Sequence, residues 1–321
     1  MNNTLLTSAS PHIHSGASVP RMMRDVVYAL LPCVIAALLF FDPLRVAALI
    51  AVCVGAAVLT ELLCRLAMRR DNTVGDYSAV VTGLLLALTL PVGLPLWQAA
   101  LGSVFAIAVV KQVFGGLGHN PFNPALAARA FLIVSFAAKM TEFIPITTAT
   151  PLGAVKLAMK TGEMEGLVYD SASRLGLFLG NVNGSIGETS ALAILAGFAY
   201  LMFRRVITWH ATAGYMGSVA LFALCHGAVF PQLAMPPDFH LMAGGALFGA
   251  VFMATDSVTT PVTAWGRFVF GVGCGVLTMV IRVVPNGAYP EGVTFAILIM
   301  NALTPLINRA TRYNRFGAGK R

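Results

Sequence analysis

Ten apolar segments, near residues 26–41, 44–64, 77–95, 96–113, 123–139, 190–203, 207–230, 240–255, 265–284 and 290–307, dominate this sequence. A straight helical crossing of a bilayer needs roughly 20 apolar residues, and several of the segments fall short of that. Inside lipid, only helices and closed barrels satisfy every backbone N–H and C=O. The pattern therefore predicts an all-α integral membrane protein with about ten transmembrane helices. Composition agrees: 57% of the 321 residues are hydrophobic and 11% are charged, whereas a soluble domain carries about 25% charged residues.

The formal charge of +8 comes from Lys and Arg scattered between the apolar segments. Cations placed this way set membrane topology and form no nucleic-acid face. With both termini cytoplasmic, the inner side collects Arg21, Arg24, Arg65, Arg69, Arg70, Lys111, Arg204, Arg205, Arg267 and the five cations after residue 308, which is 14 of the 21. Arg129 falls within a span. The polar stretch before Val26 has no cleavage-site pattern and reads as a cytoplasmic tail leading into a retained first span. Cys33, Cys53, Cys64, Cys225 and Cys274 lie in apolar stretches without a CxxC pair. They are expected as buried small hydrophobes, and the chain alone is expected to build no metal site.

The organisation is then a tail (1–25), five spans (26–139), a polar segment (140–189), five spans (190–308) and a second tail (309–321). The mildly acidic polar segment falls outside, in the periplasm. A shift of 166 residues superposes Gly83 on Gly249, Thr89 on Thr255, Asn120 on Asn286, Pro124 on Pro290 and Ala130 on Ala296. Five is odd, so a duplicated five-span unit would be inverted relative to the first, with broken helices near the midplane, as in several membrane folds.

Four spans end or begin in helix-breaking sequence: "LTLPVGLPLW" (88–97), "GGLGHNPFNPA" (115–125), "MATDSVTTPVT" (253–263) and "PNGAYPEG" (285–292). Broken backbone at membrane depth survives where it is buried in protein or lines a polar cavity. Asp76, Asp256 and Glu291 sit at or near these breaks, where a carboxylate is costly unless it is hydrogen-bonded or ion-bound. Either these residues cap helix ends at the interface, or they line a buried site for a polar ligand or cation. The polar segment adds two motifs. "GNVNGSIGETSA" (180–191) contains Ser185 and Glu188 at capping-box spacing. "ITTATPLG" (146–153) reads as a small-residue turn.

Taken together, "SPHIHSG" (10–16), "GGLGHNPFNPA", "TATPL", "GSIGETS", "ATDSVTTPVT" and "YPEGVTFAILIMNALTPLI" resemble, in the same order, the RnfD subunits of Rnf complexes, with the longer NqrB subunits as relatives. The resemblance implies an electron-relaying membrane subunit of a ferredoxin:NAD+ oxidoreductase coupled to Na+ or H+ pumping. It implies FMN joined through its phosphate to Thr150, within the Thr147–Thr150 match to the family's Ser/Thr-x-Ala-Thr motif. Relatives often carry an aspartate just upstream; here the nearest carboxylate is Glu142. A second, non-covalent flavin, riboflavin, is implied in the membrane part, with His119, Asn120, Asn123, Thr255 and Asp256 as its pocket and Asp76, Asp256 and Glu291 as carboxylates for an ion path. The implied partners are RnfA, RnfB, RnfC, RnfE and RnfG, a flavin transferase and the lipid of the bacterial inner membrane. The implied fold is similar to that of urea channels, with two inverted five-span repeats. A second reading takes the breaks as the pore of a channel for a small polar solute, without a cofactor.

Overall fold

The computed structural model describes residues 18–141, 150–161, 169–232, 234–283 and 292–312, and its regular structure there is entirely helical. Glu142, Thr147–Ala149, Glu291 and the "SPHIHSG" tail lie outside those residues. Helix α1 (Val19–Phe40) carries Pro20 in its first turn, where the missing N–H costs nothing. Asp42 ends the turn that follows, accepting a hydrogen bond from the Leu44 N–H at 3.1 Å, and Pro43 opens α2 (Pro43–Ala67). Next come α3 (Ser78–Leu88), α4 (Leu96–Phe105) running into a π-helical stretch (Ala106–Gln112), α5 (Pro124–Ser135) and the short α6 (Ala137–Met140). Helices α7 (Pro151–Thr161) and α8 (Ser171–Leu179) belong to the polar segment. The second half holds α9 (Ala191–Phe203), α10 (Trp209–Val229), α11 (Pro237–Met242), α12 (Ala246–Phe248) with a π-helical stretch (Gly249–Met253), α13 (Ala264–Val283) and α14 (Val293–Ala310).

Five of these, α1, α2, α10, α13 and α14, are long and apolar enough to cross a membrane. At 1.5 Å per residue, the 22 residues of α1 reach about 33 Å, against a hydrocarbon core of about 30 Å. The other expected spans are helical but short or interrupted. Helices α3, α5 and α9 have 11, 12 and 13 residues, and the 240–255 segment is divided between α11, α12 and its π-helical stretch.

The interruptions are satisfied by protein. After α3, the Leu88 and Leu90 carbonyls accept hydrogen bonds from the Gly187 and Ile186 N–H groups at 2.7 and 3.1 Å. Arg45 donates to the Val92 and Leu94 carbonyls at 3.2 and 3.0 Å. Between α11 and α12, Arg282 does the same for the His240 and Ala243 carbonyls, at 2.6 and 2.9 Å. Each cation replaces the water that broken backbone would otherwise require.

The core joins residues of α1, α3, α5, α9, α12, α13 and α14, while Leu39, Leu44 and Phe203 point outward, the last 84% exposed. Outward apolar side chains around a packed interior suit lipid as solvent. Close helix contacts rest on glycine: a Cβ at Gly271 would lie 2.1 Å from the Ala211 carbonyl oxygen, and one at Gly83 2.8 Å from that of Cys53. Cys33, Cys53 and Cys274 are buried as expected, whereas Cys225 is exposed on α10.

The polar segment folds over one end of this bundle. Leu152 and Val155 of α7 and Leu177 of α8 form a separate small core with Met235, Phe239 and Ala243. Asp170 caps α8 by accepting from the Ser173 N–H at 2.8 Å, which holds its carboxyl below the usual range. Thr150–Gly153, expected as part of a turn, starts a helix: Pro151 opens α7, and the Thr150 hydroxyl oxygen accepts from the Gly153 N–H at 3.1 Å.

Candidate functional site

Helix α3 is buried along nearly its whole length and has a cavity at one end and a groove at the other.

The cavity, about 790 Å³ including its open mouth, lies at the N-terminal end of α3. Met22 and Val26 of α1, Phe252 of the second π-helical stretch and Leu85 of α3 give it apolar walls. The two breaks at 115–125 and 254–263 supply Asn120, Asn123, Thr255 and Asp256. Four of the five pocket residues expected from the sequence thus meet in one cavity. His119 does not line it and is exposed.

Local bonds account for part of each of these side chains. Asn123 caps α5, its Oδ1 accepting from the Ala125 and Leu126 N–H groups at 3.0 and 3.3 Å. Asp256 folds its own turn, accepting from the Val258 N–H and the Thr259 hydroxyl at 3.4 and 3.2 Å. Asn120 is different. Its Nδ2 donates to the Phe122 carbonyl at 3.0 Å, but its Oδ1 is buried without a partner among the described residues. A buried, unsatisfied amide oxygen on a cavity wall is the place where a ligand donor is gained.

One wall carries charge that sequence reasoning missed. Lys111, 1% exposed, donates to the two Glu61 carboxylate oxygens at 3.0 and 2.9 Å and to the Ser78 hydroxyl at 2.6 Å. Thr73 and Gln112 also donate to Glu61, at 2.7 and 3.2 Å. The Ser78 hydroxyl donates in turn to Asp76, whose carboxylate also caps the Ser78 N–H at 2.7 Å. Lys111 and Ser78 line the cavity, while Glu61 stands behind them. Lys111 is therefore a buried residue of the π-helical stretch and not a cation of an inner loop. The wider π-helical turn buries the adjacent Lys111 and Gln112 together. A glutamate inside the 44–64 segment was the available signal, since an intramembrane carboxylate needs a named partner.

At the other end of α3, a groove of about 360 Å³ is lined by Thr150, Pro151, Asn183, Ser185, Glu188 and Gly244, among others. Its floor is held by Arg129 of α5, which pairs with Glu188 and donates to the Ser185 hydroxyl at 3.3 Å. The expected Ser185–Glu188 capping box is absent for that reason. Ser190 caps α9 instead, accepting from the Ala193 N–H at 3.3 Å. Thr150 is partly exposed, at the N-terminus of an 11-residue helix.

These features define a multi-pass helical membrane protein with a polar cavity in its interior and a separate groove beneath its cap. The family described as NQR2, RnfD, RnfE matches residues 6–317, and the chain belongs to it. It is 46% identical to a subunit of the Na(+)-translocating ferredoxin:NAD(+) oxidoreductase complex of Acetobacterium woodii, covering 100% of this chain and 98% of that one. It is 40% identical to the counterpart in the proton-translocating complex of Clostridium ljungdahlii, covering 98% and 97%. It is also 44% identical to a subunit of the Na(+)-translocating NADH-quinone reductase of Pseudomonas aeruginosa, over 71% of this chain and 58% of that one.

Proposed function

We propose that the chain is an RnfD-type subunit of an ion-translocating ferredoxin:NAD+ oxidoreductase complex, carrying FMN covalently on Thr150 and a non-covalent riboflavin in the membrane part. Its family and its near-complete alignment with subunits of such complexes support the complex. The observation that carries the flavin reading is the setting of Thr150: a partly exposed hydroxyl on a helix N-terminus, opening on a groove.

The residues at both sites suit flavin. A phosphoester on the Thr150 oxygen would place its negative charge at the N-terminus of α7, where the helix dipole and free N–H groups favour an anion. The Gly153 N–H that now meets the hydroxyl oxygen can still donate once the ester has formed. The groove beside it offers the Asn183 amide and the Ser185 and Thr189 hydroxyls as polar contacts. In the cavity, the unpaired Asn120 Oδ1 would accept from a ring N–H, with Asn123 and Thr255 beside it, and Met22, Val26 and Phe252 would exclude water. Flavins, when bound, supply the one- and two-electron chemistry, and the protein supplies position, potential and solvent access.

In this reading the ten helical segments form two inverted five-span repeats. Helices α2 and α10 begin 166 positions apart, α4 and α13 168, and α5 and α14 169, which supports the repeat. Both termini are cytoplasmic and the α7–α8 cap is periplasmic, in a bacterial inner membrane. The partners are RnfA, RnfB, RnfC, RnfE and RnfG, with a flavin transferase loading Thr150. Asp76, Asp256 and Glu291 are the carboxylates proposed for coupling to Na+ or H+.

The test is mass spectrometry of the peptide from Met140 to Lys156, taken from protein co-expressed with an active transferase. The reading requires the added mass of FMN less water, with fragments placing it on Thr150. Unmodified peptide throughout would refute the attachment and return the solute-channel reading to the front.

A further inference from the structure

The cavity holds one buried cation that neither the helix ends nor the loop turns account for. Lys111 is fixed from three directions, by both oxygens of Glu61 and by Ser78. Glu61 is fixed as firmly, by Lys111, Thr73 and Gln112. The pair is also oriented: Lys111 and Ser78 belong to the cavity wall, and Glu61 does not. A buried ion pair gives up the solvation of both charges, and an apolar pair could fill the same space. The occupant of the cavity, however, sees the positive end of this dipole in an environment where charge is poorly screened.

We infer that Lys111 is a redox-tuning residue: held by Glu61 and Ser78, its ammonium favours the electron-rich state of the flavin in this cavity and so raises that flavin's potential. The inference rests on the flavin reading of the cavity given above. Glu61 is then a positioning residue that also damps the cation's field. Removing the carboxylate and removing both charges should therefore shift the potential in opposite directions. A pair with a purely structural role gives no such pattern.

The experiment uses the full chain in detergent with Thr150→Ala as background, so that added riboflavin is the sole flavin. Its midpoint potential is followed optically in that background, in Glu61→Gln, and in Glu61→Gln/Lys111→Met. The expected result is a higher potential in Glu61→Gln and a lower one in the double variant. Between the two variants, the preference for the reduced over the oxidised ligand should differ at least tenfold, which corresponds to about 59 mV for one electron or 30 mV for two. Lys111→Arg, which keeps the charge, should hold the potential within threefold of the background on the same scale. If riboflavin binds in every variant and the potentials coincide, the inference falls while the flavin cavity stands. If the background protein binds no riboflavin, the flavin reading of the cavity falls and takes the inference with it. Should the double variant fail to fold, the sign of the Glu61→Gln shift alone decides.

Discussion

Glu61–Lys111 and Arg129–Glu188 are both buried ion pairs, joining residues 50 and 59 positions apart, yet they present opposite ends to their surroundings. In the first, the cation lines a cavity and the carboxylate stands behind it. In the second, the carboxylate lines the Thr150 groove and the guanidinium stands behind, in α5. Both are enclosed, and the second leaves no room beside it: a Cβ at Gly245 would lie 2.7 Å from the Glu188 carboxylate. Desolvation makes both pairs poor sources of stability compared with apolar packing. Their shared feature is placement, one beneath each proposed flavin site. The difference teaches that the same costly device can set the electrostatics of a cavity or clasp a loop, depending on which partner faces outward.

The largest effect should come from breaking the clasp. Arg129→Met leaves Glu188 buried without its cation, which costs about 3–5 kcal/mol. Thermal unfolding in detergent should show a large drop in Tm, and Arg129→Met/Glu188→Met should recover most of it. A single variant that melts like wild type would show that Glu188 is solvated and the clasp is unimportant. A smaller effect is expected at the cavity. Asn120→Ala removes an acceptor worth about 1 kcal/mol, so riboflavin should bind roughly fivefold more weakly. The flavin on Thr150 should be unaffected, and a fall in that covalent flavin would mean that the two sites are not separate.

The part of this arrangement that was legible in the sequence is the part set by lipid and by local caps. Apolar length marked the five long helices because the bilayer demands it, while the other expected spans are helical but short or interrupted. Two helix starts follow the same local logic, Asp42 ahead of Pro43 and Asn123 ahead of Pro124, since cap and proline act within one turn. What escaped depends on contacts between distant residues. Lys111 ends an apolar run and counts as a topology cation until a π-helical turn carries it inward to Glu61. Ser185 and Glu188 have the spacing of a capping box, but a guanidinium from α5 outcompetes a local N–H for the carboxylate. Asn120, Asn123, Thr255 and Asp256, grouped through the family resemblance, line one cavity because the two breaks that carry them meet at the end of α3. His119 shares the first break, yet it is exposed and lines no part of the cavity.

The smallest effect concerns the cap over the groove. Tyr169 donates to Asp238 at 2.9 Å, and Arg174 pairs with the same carboxylate at 3.2 Å. Burial, with the Asp238 carboxylate beside it, pushes the Tyr169 phenol up to about 12. A raised phenol pKa leaves this contact intact below the unfolded value near 10 and weakens it as pH rises from there towards 12. Tyr169→Phe should cost about 0.5 kcal/mol at neutral pH. Its alkaline absorbance titration should lack one late-ionising tyrosine relative to wild type, whereas loss of a tyrosine that ionises near about 10 would place Tyr169 in free solvent.

The central claim is that this chain carries flavin on Thr150. Its most direct test is in-gel fluorescence of the denatured protein, co-expressed with a flavin transferase, for wild type and Thr150→Ala. The account predicts a fluorescent wild-type band and a dark variant band at equal protein loading. A dark wild-type band, with the transferase active on a control protein, or a variant as bright as wild type, would contradict it.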